Sequence, residues 1–287
     1  MQMSAYHWSV QAAENHLMGR TLAAAEAVVA ARRSGTPLET LPSSVKPRTV
    51  AEGYRVQKAV HEMLAQTEWG PVVGYKIGCT TAVMQQYLGI THPCGGGVFA
   101  GRVHQSGVTL EHSRFVRVGV ECEIAVRLSR DLSVSDAPFT AEHVGEAVEA
   151  YMPAIEIVDE RYADWPRTEA ATLIADDFFA AGCVLGEPVM RDIPPDLAGL
   201  TGQTLIKGVE VARGIGADVM GHPHNALAWL ANSLAERGEA LQAGQIVLTG
   251  SLVQTLWPAA EDQVAVIISG LGSVSVTFGS TSAPGTS

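Results

Sequence analysis

Hydrophobic and polar residues alternate with two different periods along this chain, and the change comes near Val72. The first 70 residues carry helical spacing, with an alanine-rich segment over residues 17–35 and a second helical segment over residues 49–66. The first segment ends in two arginines and a glycine, which is typical of a helix C-terminus. We therefore predict a helical N-terminal arm, residues 1–70, packed on the rest of the protein.

Beyond the arm, short β-branched runs separated by glycine and proline indicate strands. The predicted strands are residues 72–77, 116–128, 153–158, 181–185, 205–212, 245–249, 263–268 and 273–278. The predicted helices between them are residues 81–88, 141–150 and 223–237. The glycine-rich stretch CGGGVFAG, residues 94–101, is predicted to be a tight loop. Unevenly spaced strands after a helical arm predict an α+β fold on a coiled or closed sheet, with a core over 71–278 and a flexible tail over 279–287.

Composition narrows the possible partners. The 287 residues are 47% hydrophobic and 17% charged, with a formal net charge of −11. This balance argues against a nucleic-acid or anionic-membrane partner, because both need a basic surface. The four cysteines include no C-x-x-C pair, which favours reduced thiols in a cytoplasmic protein over a zinc site. No signal peptide and no apolar run of about 20 residues is recognised, so we expect a cytoplasmic protein.

Two glutamates interrupt the apolar strand VRVGVECEIAVRL, residues 116–128. Side chains two apart in a strand share a face, so Glu121 and Glu123 point the same way. One interpretation is the solvated face of a surface strand, which Arg127 on that face also fits. The other is a pair of ligands aimed into a pocket.

A third glutamate, Glu156, lies between Ile155 and Ile157 in a run that begins apolar. Taken alone, it fits the edge of a strand equally well. A buried carboxylate, however, needs a compensating cation. Three carboxylates from two adjacent strands, with no histidine or cysteine among them, match the oxygen ligands that Mg²⁺ or Mn²⁺ prefers.

Four more polar residues have both a structural and a functional interpretation. Lys76, inside a strand-like run, either extends to solvent or balances an anionic ligand. Thr80 and Thr81, at the start of a predicted helix, either cap that helix or bind a carboxylate. Ser251 follows a buried strand, and it either forms a turn or donates a hydrogen bond to a substrate.

Six segments, in order from Thr49 to Phe278, resemble one family. They are GYKIGCTT, VGVECEIAVRL, MPAIEIVDERYADW, GHPHNALAWLAN, AGQIVLTGSLVQTLW and GLGSVSVTF. The chain is similar to the 2-keto-4-pentenoate hydratase and 2-oxo-acid decarboxylase branch of the fumarylacetoacetate hydrolase-like superfamily. The resemblance implies a mixed β-roll with flanking helices, a homo-oligomer, a divalent metal and a small 2-oxo acid substrate.

The resemblance also assigns roles to particular residues. Glu121, Glu123 and Glu156 occupy the positions of the metal ligands in that family. Lys76 takes the place of a lysine beside the substrate, and Ser251 lies in a loop that contacts it. Lys76 would pair with the substrate anion or relay a proton, aided by a lowered pKa if it is buried near the metal.

Two departures from the family pattern change the pocket. Many hydratases carry an aspartate after the proline of a P-D-x-G loop, where this chain reads HPCGGGVFAG with Cys94 at that position. Many also show D-N-A-S-S where residues 176–181 read DDFFAA. Cys94 is therefore assigned to the substrate pocket, with a different lining from that of the family.

The activity implied is hydration of a 2-hydroxydienoate, or 2-oxo-enoate, to a 4-hydroxy-2-oxo acid, with Mg²⁺ or Mn²⁺ as cofactor. Such a reaction belongs to the breakdown of aromatic compounds after ring cleavage. Three alternatives stay open, since one enolate intermediate serves several reactions. They are decarboxylation of a 2-oxo diacid of the 4-oxalocrotonate type, hydrolysis of a C–C bond, and a catalytically impaired subunit in complex with a related pathway enzyme.

Overall fold

The structure is a computed structural model that describes residues 2–190 and 196–280, with side chains described from residue 15 onward. Most of the predicted tail, residues 281–287, lies outside the described residues. No helix in the described ranges is both long and apolar enough to cross a lipid bilayer.

The described residues form six α-helices, four of them close to their predicted positions. They are α1 (Gln2–Ser34), α2 (Val50–Leu64), α3 (Ala82–Leu88), α4 (Ala141–Glu146), α5 (Ala170–Ala175) and α6 (Pro223–Ala235). The predicted helix over 141–150 is too long, because the β-branched Val148 begins a strand. The short helix α5 was not predicted.

Thirteen strands occur in the described ranges. They are β1 (Val72–Gly78), β2 (Cys94–Phe99), β3 (Val103–Gln105), β4 (Val108–Glu111), β5 (Val118–Leu128), β6 (Val148–Asp159), β7 (Ala180–Leu185), β8 (Val189–Met190), β9 (Thr201–Ile206), β10 (Val209–Ile215), β11 (Ile246–Ser251), β12 (Gln263–Ile268) and β13 (Gly272–Gly279). The single predicted strand over 205–212 is wrong. Lys207 and Gly208, with φ angles of 51° and 79°, form a tight turn that divides this segment between the hairpin strands β9 and β10.

The glycine-rich stretch is also not the predicted loop. Residues 94–99 form β2, a fully buried strand that pairs with β1. Its glycines are required by close neighbours: a Cβ on Gly96 would lie 2.9 Å from the carbonyl oxygen of Asp177, and one on Gly97 would lie 2.7 Å from the ring of His61. Tertiary contacts therefore override the low strand propensity of glycine.

The strands form two sheets, and the α+β class is confirmed. The larger sheet has the order β2-β1-β11-β5-β6-β7-β3, with β8 paired to β6, and the smaller has the order β10-β9-β12-β13-β4. Both sheets mix parallel and antiparallel pairs. Since neither sheet closes on itself within the described residues, the core is a roll and not a closed barrel.

The long hairpin of β5 and β6 separates two hydrophobic environments. On one face of β5, Val120, Cys122 and Ile124 join the main core with α6 and the small sheet. On the other face, Ala125 packs in a smaller cluster with Ala154 of β6 and with side chains of β2 and β11, the two strands that pair with β1. Because side chains alternate along a strand, Glu121 and Glu123 lie on the same face as Ala125.

Helix α1 packs against α2, which in turn packs against α5. Ala24, Ala25 and Val28 of α1 are fully buried against Val56 and Val60 of α2. Thr49 caps α2 by accepting a hydrogen bond from the amide of Glu52 at 3.2 Å. Helices α1 and α2 therefore form two helical layers beside α5.

Candidate metal centre and the lysine beside it

Three glutamates converge on the inner face of the roll. Glu121 of β5 is directly opposite Glu156 of β6 in the antiparallel ladder, and Glu123 is opposite Ala154. One carboxylate oxygen of each glutamate lies within 4.8 Å of the others. Glu123 and Glu156 are buried, with relative exposures of 0% and 1%, and Glu121 is half-buried. The surface-strand interpretation is therefore wrong for this face.

Backbone and hydroxyl donors orient two of these carboxylates. The amide of Gly250, at the end of β11, donates to Glu123 Oε2 at 2.7 Å. The hydroxyl of Thr255 donates to Glu121 Oε1. Gly250 has a φ of 118°, and a Cβ there would lie 2.7 Å from Thr80 Cγ2, so this position near the end of β11 requires glycine.

The three carboxylates carry more negative charge than their surroundings neutralise. Burial, followed by the charge of Glu156, raises the pKa of Glu121 to about 7. Burial and both neighbouring carboxylates raise the pKa of Glu123 well above its ordinary value. Glu123 Oε1 and Glu156 Oε2 are buried and have no hydrogen-bond partner among the described residues. An all-oxygen donor set with unpartnered oxygens fits a hard divalent cation such as Mg²⁺ or Mn²⁺.

Lys76 of β1 is the cation beside this cluster. Its Nζ lies 3.0 Å from Glu156 Oε1 and donates to the carbonyl oxygen of Phe178 at 3.0 Å. Burial alone would lower the pKa of Lys76, but Glu156 and Glu121 outweigh it and raise the pKa above its ordinary value. Without a bound metal ion, the adjacent carboxylates favour the charged ammonium. The predicted lowering depends on a nearby metal ion and stays a prediction. Lys76 does not extend to solvent, since it is only 3% exposed.

The carbonyl that holds Lys76 belongs to an unusual turn between α5 and β7. Asp177, Phe178 and Phe179 have φ angles of 52°, 49° and 67°, which places three consecutive side-chain-bearing residues in the left-handed region. We call residues 176–179 the left-handed turn. Left-handed backbone costs roughly 1–2 kcal/mol per residue other than glycine, so the surroundings must stabilise it.

Ionic contacts supply that stabilisation. Arg32 of α1 donates to Asp176 Oδ1 at 2.5 Å and to Asp177 Oδ2 at 2.9 Å. His61 Nε2 lies 2.7 Å from Asp177 Oδ1, which also accepts the amide of Gly97 at 2.9 Å. Burial alone would raise the pKa of Asp177, but His61 and Arg32 outweigh it and hold the pKa well below its ordinary value.

A second arginine completes these contacts. Arg161, just after β6, donates from Nε and Nη2 to Asp176 Oδ2 at 3.1 Å and 3.0 Å. Its Nη1 lies 3.3 Å from the carbonyl oxygens of both Phe179 and Ala180. Cations from widely separated parts of the chain therefore hold this one turn in place.

The other residues assigned to the substrate pocket occupy different environments. Thr80 packs against Gly250, next to the loop that orients Glu123. Thr81 is exposed and caps α3 by accepting from the amide of Met84 at 3.4 Å. The Ser251 hydroxyl donates to the carbonyl of Val253 at 2.8 Å, so it is engaged within its own turn.

Cys94 is fully buried at the start of β2, in a hydrophobic cluster with Tyr54 and Phe178. The hydrogen bond with the Cys79 thiol, followed by burial, raises the pKa of Cys94. All four cysteines are unpaired, in agreement with reduced thiols.

Four residues near the centre were missed from the sequence: Gly250, Thr255, His61 and Asp177. Gly250 and Thr255 act on the glutamates from a loop more than 120 residues away along the chain. The available signal for Asp177 was a pair of aspartates bounded by apolar residues, which predicts buried carboxylates in need of cations.

Comparison with known proteins identifies the family of this chain. Residues 99–278, more than half of the chain, match the family described as "Fumarylacetoacetate (FAA) hydrolase C-terminal". A "2-keto-4-pentenoate hydratase" of Burkholderia vietnamiensis is 36% identical over 250 residues, which cover 86% of this chain and 93% of that protein. A "2-hydroxyhexa-2,4-dienoate hydratase" of Comamonas testosteroni is 32% identical over 251 residues, covering 86% and 93%.

A solved structure is similar over nearly the same length. It is a 4-oxalocrotonate decarboxylase from Pseudomonas putida G7 complexed with magnesium and adipate, 26% identical, with a TM-score of 0.81. The alignment covers 91% of this chain and 98% of that one. By both sequence and fold, the chain belongs to the fumarylacetoacetate hydrolase C-terminal family.

Proposed function

We propose that this chain is a divalent-metal-dependent hydro-lyase that adds water to a 2-hydroxydienoate, or its 2-oxo-enoate tautomer, and gives a 4-hydroxy-2-oxo acid. The observation that carries the proposal is the convergence of Glu121, Glu123 and Glu156 beside the buried Lys76. The names of the two curated relatives, both hydratases, support the reaction class.

Glu121, Glu123 and Glu156 would hold the cation, which we propose to be Mg²⁺ or Mn²⁺. When bound, it supplies a Lewis acid that stabilises the enolate of a 2-oxo acid. The magnesium in the similar decarboxylase structure supports a divalent ion at this family's site. Gly250 and Thr255 would keep Glu123 and Glu121 oriented toward it.

Lys76 would bind and orient the substrate anion. An ammonium group has three N–H donors, and here two are directed to Glu156 and to the carbonyl of Phe178. The third donor is left for a substrate carboxylate or an enolate oxygen. In the metal-free site, Glu156 and Glu121 raise the pKa of Lys76. A protonated Lys76 can stabilise negative charge that develops beside it.

An aromatic cluster lies beside the turn that contacts Lys76. Phe178 and Phe179 form an edge-to-face pair, and Phe179 continues to Tyr162 and Trp165. This aromatic cluster flanks the segment that holds Lys76 and gives it apolar surroundings. In such surroundings the ion contacts of Lys76 are stronger than they would be in bulk water.

Decarboxylation of a 2-oxo diacid is the second candidate, and the similar decarboxylase structure specifically favours it. Both reactions need a chelated 2-oxo acid, so the metal centre alone does not choose between them. The products do: hydration adds one water and retains every carbon, whereas decarboxylation releases carbon dioxide.

The test is consumption of 2-hydroxypenta-2,4-dienoate by the purified protein with Mg²⁺ or Mn²⁺, followed by loss of its ultraviolet absorbance. We expect a product heavier by one water in mass spectrometry, and no turnover after chelation. A protein that consumes only 4-oxalocrotonate and releases carbon dioxide would favour the second candidate. Turnover of neither compound would reject both.

Assembly is part of the same proposal. We propose a homo-oligomer built around the core over 71–278, because members of this family usually assemble with copies of themselves. A complex with a related pathway enzyme is the further possibility raised by the sequence. Light scattering of the purified protein, alone and with that enzyme, distinguishes a monomer, a homo-oligomer and a mixed complex.

A further inference from the structure

We infer that Arg32, in the last turn of α1, is a positioning residue for Lys76 and acts on it through the left-handed turn. The inference rests on the proposed function only in taking Lys76 to serve the metal centre. It links α1 to the face of the roll that carries Lys76 and the three glutamates. Arg32 and Lys76 lie on different secondary-structure elements, α1 and β1.

The first step is the restraint on Lys76 itself. Its Nζ is held between Glu156 Oε1 and the carbonyl oxygen of Phe178, each at 3.0 Å. Glu156 is one of the three converging carboxylates, so the contact that remains independent of the metal centre is the one to Phe178. The direction of the ammonium group therefore depends on where the backbone places that carbonyl.

The second step is the backbone around Phe178. Positive φ angles at residues 177–179 orient this carbonyl toward Lys76, and side chains other than glycine resist that conformation. The amide of Ala180 donates to the carbonyl oxygen of Asp177 across the turn. One such bond contributes about 1 kcal/mol, which is less than the cost of three left-handed residues. The conformation must be imposed from outside.

The third step is that Arg32 contacts both acidic residues of the turn. It reaches Asp176 through Nε and Asp177 through Nη2, whereas Arg161 contacts the carboxylate of Asp176 and His61 that of Asp177. A planar guanidinium that bridges two successive carboxylates fixes their relative orientation, which a single point charge cannot do. Arg32 thus fixes the backbone conformation of Asp176 and Asp177, and with it the direction of the Phe178 carbonyl.

The location of Arg32 supports a specific role. The residue is 8% exposed, and its guanidinium lies 5.5 Å from the ring of Trp69. Its neighbour Arg33 is exposed on the same helix end. A helix C-terminus favours arginine in general, so Arg33 experiences the same helix dipole without touching the turn. The pair offers a matched comparison within one helical turn.

A purely structural role would make Arg32 an anchor of the arm, comparable to the buried Val28 of α1. Val28 belongs to the hydrophobic cluster that includes Val56 of α2, and neither Phe178 nor Phe179 is part of that cluster. Val28→Ala should loosen the arm by creating a cavity, without changing the charges around the turn. It therefore separates loss of arm stability from loss of Lys76 positioning.

The experiment is reductive methylation of the metal-free full-length protein, read by peptide mass spectrometry at each lysine. The chain has lysines only at positions 46, 58, 76 and 207, so Lys76 has three internal references. In the wild-type protein we expect Lys76 to be labelled slowest, because its ammonium is buried and paired. In Arg32→Gln we expect its labelling to rise about tenfold against the references, with Arg33→Gln at the wild-type rate.

A second readout follows turnover of the dienoate with saturating Mg²⁺. Arg32→Gln should lower kcat by about tenfold or more, and Mn²⁺ affinity should stay within about threefold of wild type because all three carboxylates are retained. Arg32→Lys, which keeps the charge but cannot bridge both aspartates, should give an intermediate kcat and intermediate labelling. It also replaces Arg32→Gln if the glutamine variant does not fold.

Two results would overturn the inference. One is wild-type labelling of Lys76 in a folded Arg32→Gln or Arg32→Lys protein. The other is equal acceleration of labelling in Val28→Ala at a matched loss of melting temperature. If the wild-type protein turns over no 2-oxo acid but Lys76 labelling responds as expected, the proposed function fails and the positioning role stands.

Discussion

Glu121 of β5 and Glu156 of β6 are direct partners across an antiparallel ladder, so their carboxylates are brought together by strand register alone. Opposed side chains in such a pair have Cβ atoms about 4.5–5.5 Å apart, a spacing at which like charges destabilise the sheet. Glu123 adds a third carboxylate from the same face. The stability of this hairpin therefore depends on what neutralises the carboxylates.

The first prediction concerns Glu123→Gln. The change removes one anionic ligand, so we expect affinity for Mg²⁺ or Mn²⁺ to fall by about 100-fold or more and metal-dependent turnover to be lost. The same change should raise the melting temperature of the metal-free protein, because the pKa of Glu123 is raised by burial and by repulsion from its neighbours. Calorimetric titration with Mn²⁺ and thermal unfolding with a chelator measure the two effects.

Glu149→Gln on β6 is the matched control, because Glu149 pairs with Arg127 away from the centre. It should leave metal affinity unchanged. Undiminished turnover in Glu123→Gln would reject the assignment of Glu123 as a ligand.

The second prediction is a pH dependence of the metal-free protein. Glu121 has a folded-state pKa of about 7, raised from an ordinary value of 4.5 by burial and then by Glu156. A carboxyl with a raised pKa binds its proton more tightly when folded, so stability should fall as pH rises from about 4.5 to about 7. Bound metal removes this penalty, and the rise in melting temperature on adding Mg²⁺ should be larger at about pH 8 than at about pH 6.

The third prediction concerns the hydroxyl that orients Glu121. Thr255→Val keeps the shape of the side chain but removes a hydrogen bond that lowers the pKa of Glu121. The pKa should therefore rise above about 7, and the pH midpoint of Mn²⁺ binding should shift upward. Binding titrations across that pH range measure the shift. Thr249→Val, at a buried hydroxyl that donates to the carbonyl of Ile124, should leave the midpoint in place. An unchanged midpoint in Thr255→Val would contradict the role of this hydroxyl.

The cluster of three glutamates could be proposed from the sequence because part of its signal is local. Glu121 and Glu123 share a face through the two-residue period of a strand, and Val120 and Cys122 show that the opposite face enters the core. For Glu156 as for the other two, the pattern left a strand-surface interpretation open, and the family resemblance favoured the ligand interpretation. The three glutamates could be identified because they lie within two segments of the chain.

The surroundings of Lys76 could not be predicted in this way. Arg32 and Asp177 are separated by 145 residues, and no local period indicates which cation meets which carboxylate. The left-handed turn also contradicts the backbone preference of phenylalanine, so propensity points away from it. The buried strand β2 was not predicted for a related reason. Its glycines are required because His61 and Asp177, which are distant in the sequence, leave no room for a Cβ.

The last prediction tests the most visible departure from the family pattern, Cys94. The variant Cys94→Asp introduces the aspartate of the family pattern. We expect it to destabilise the protein, because the position is fully buried beside Tyr54 and Phe178. A new carboxylate there would add to the negative charge near Lys76, whose partner is already Glu156. We expect a loss of about 3 kcal/mol or more in the free energy of unfolding near neutral pH, measured by urea unfolding.

Cys94→Ser is the control, since it changes one buried atom without adding charge, and it should cost much less than the aspartate. The loss in Cys94→Asp should also shrink as pH falls and the new carboxyl becomes protonated, because only the charged form is strongly penalised by burial. A Cys94→Asp protein as stable as wild type near neutral pH would mean that a cation or solvent reaches this position. The pocket would then extend from Lys76 to the start of β2, and the cysteine would line a polar site in place of an apolar cluster.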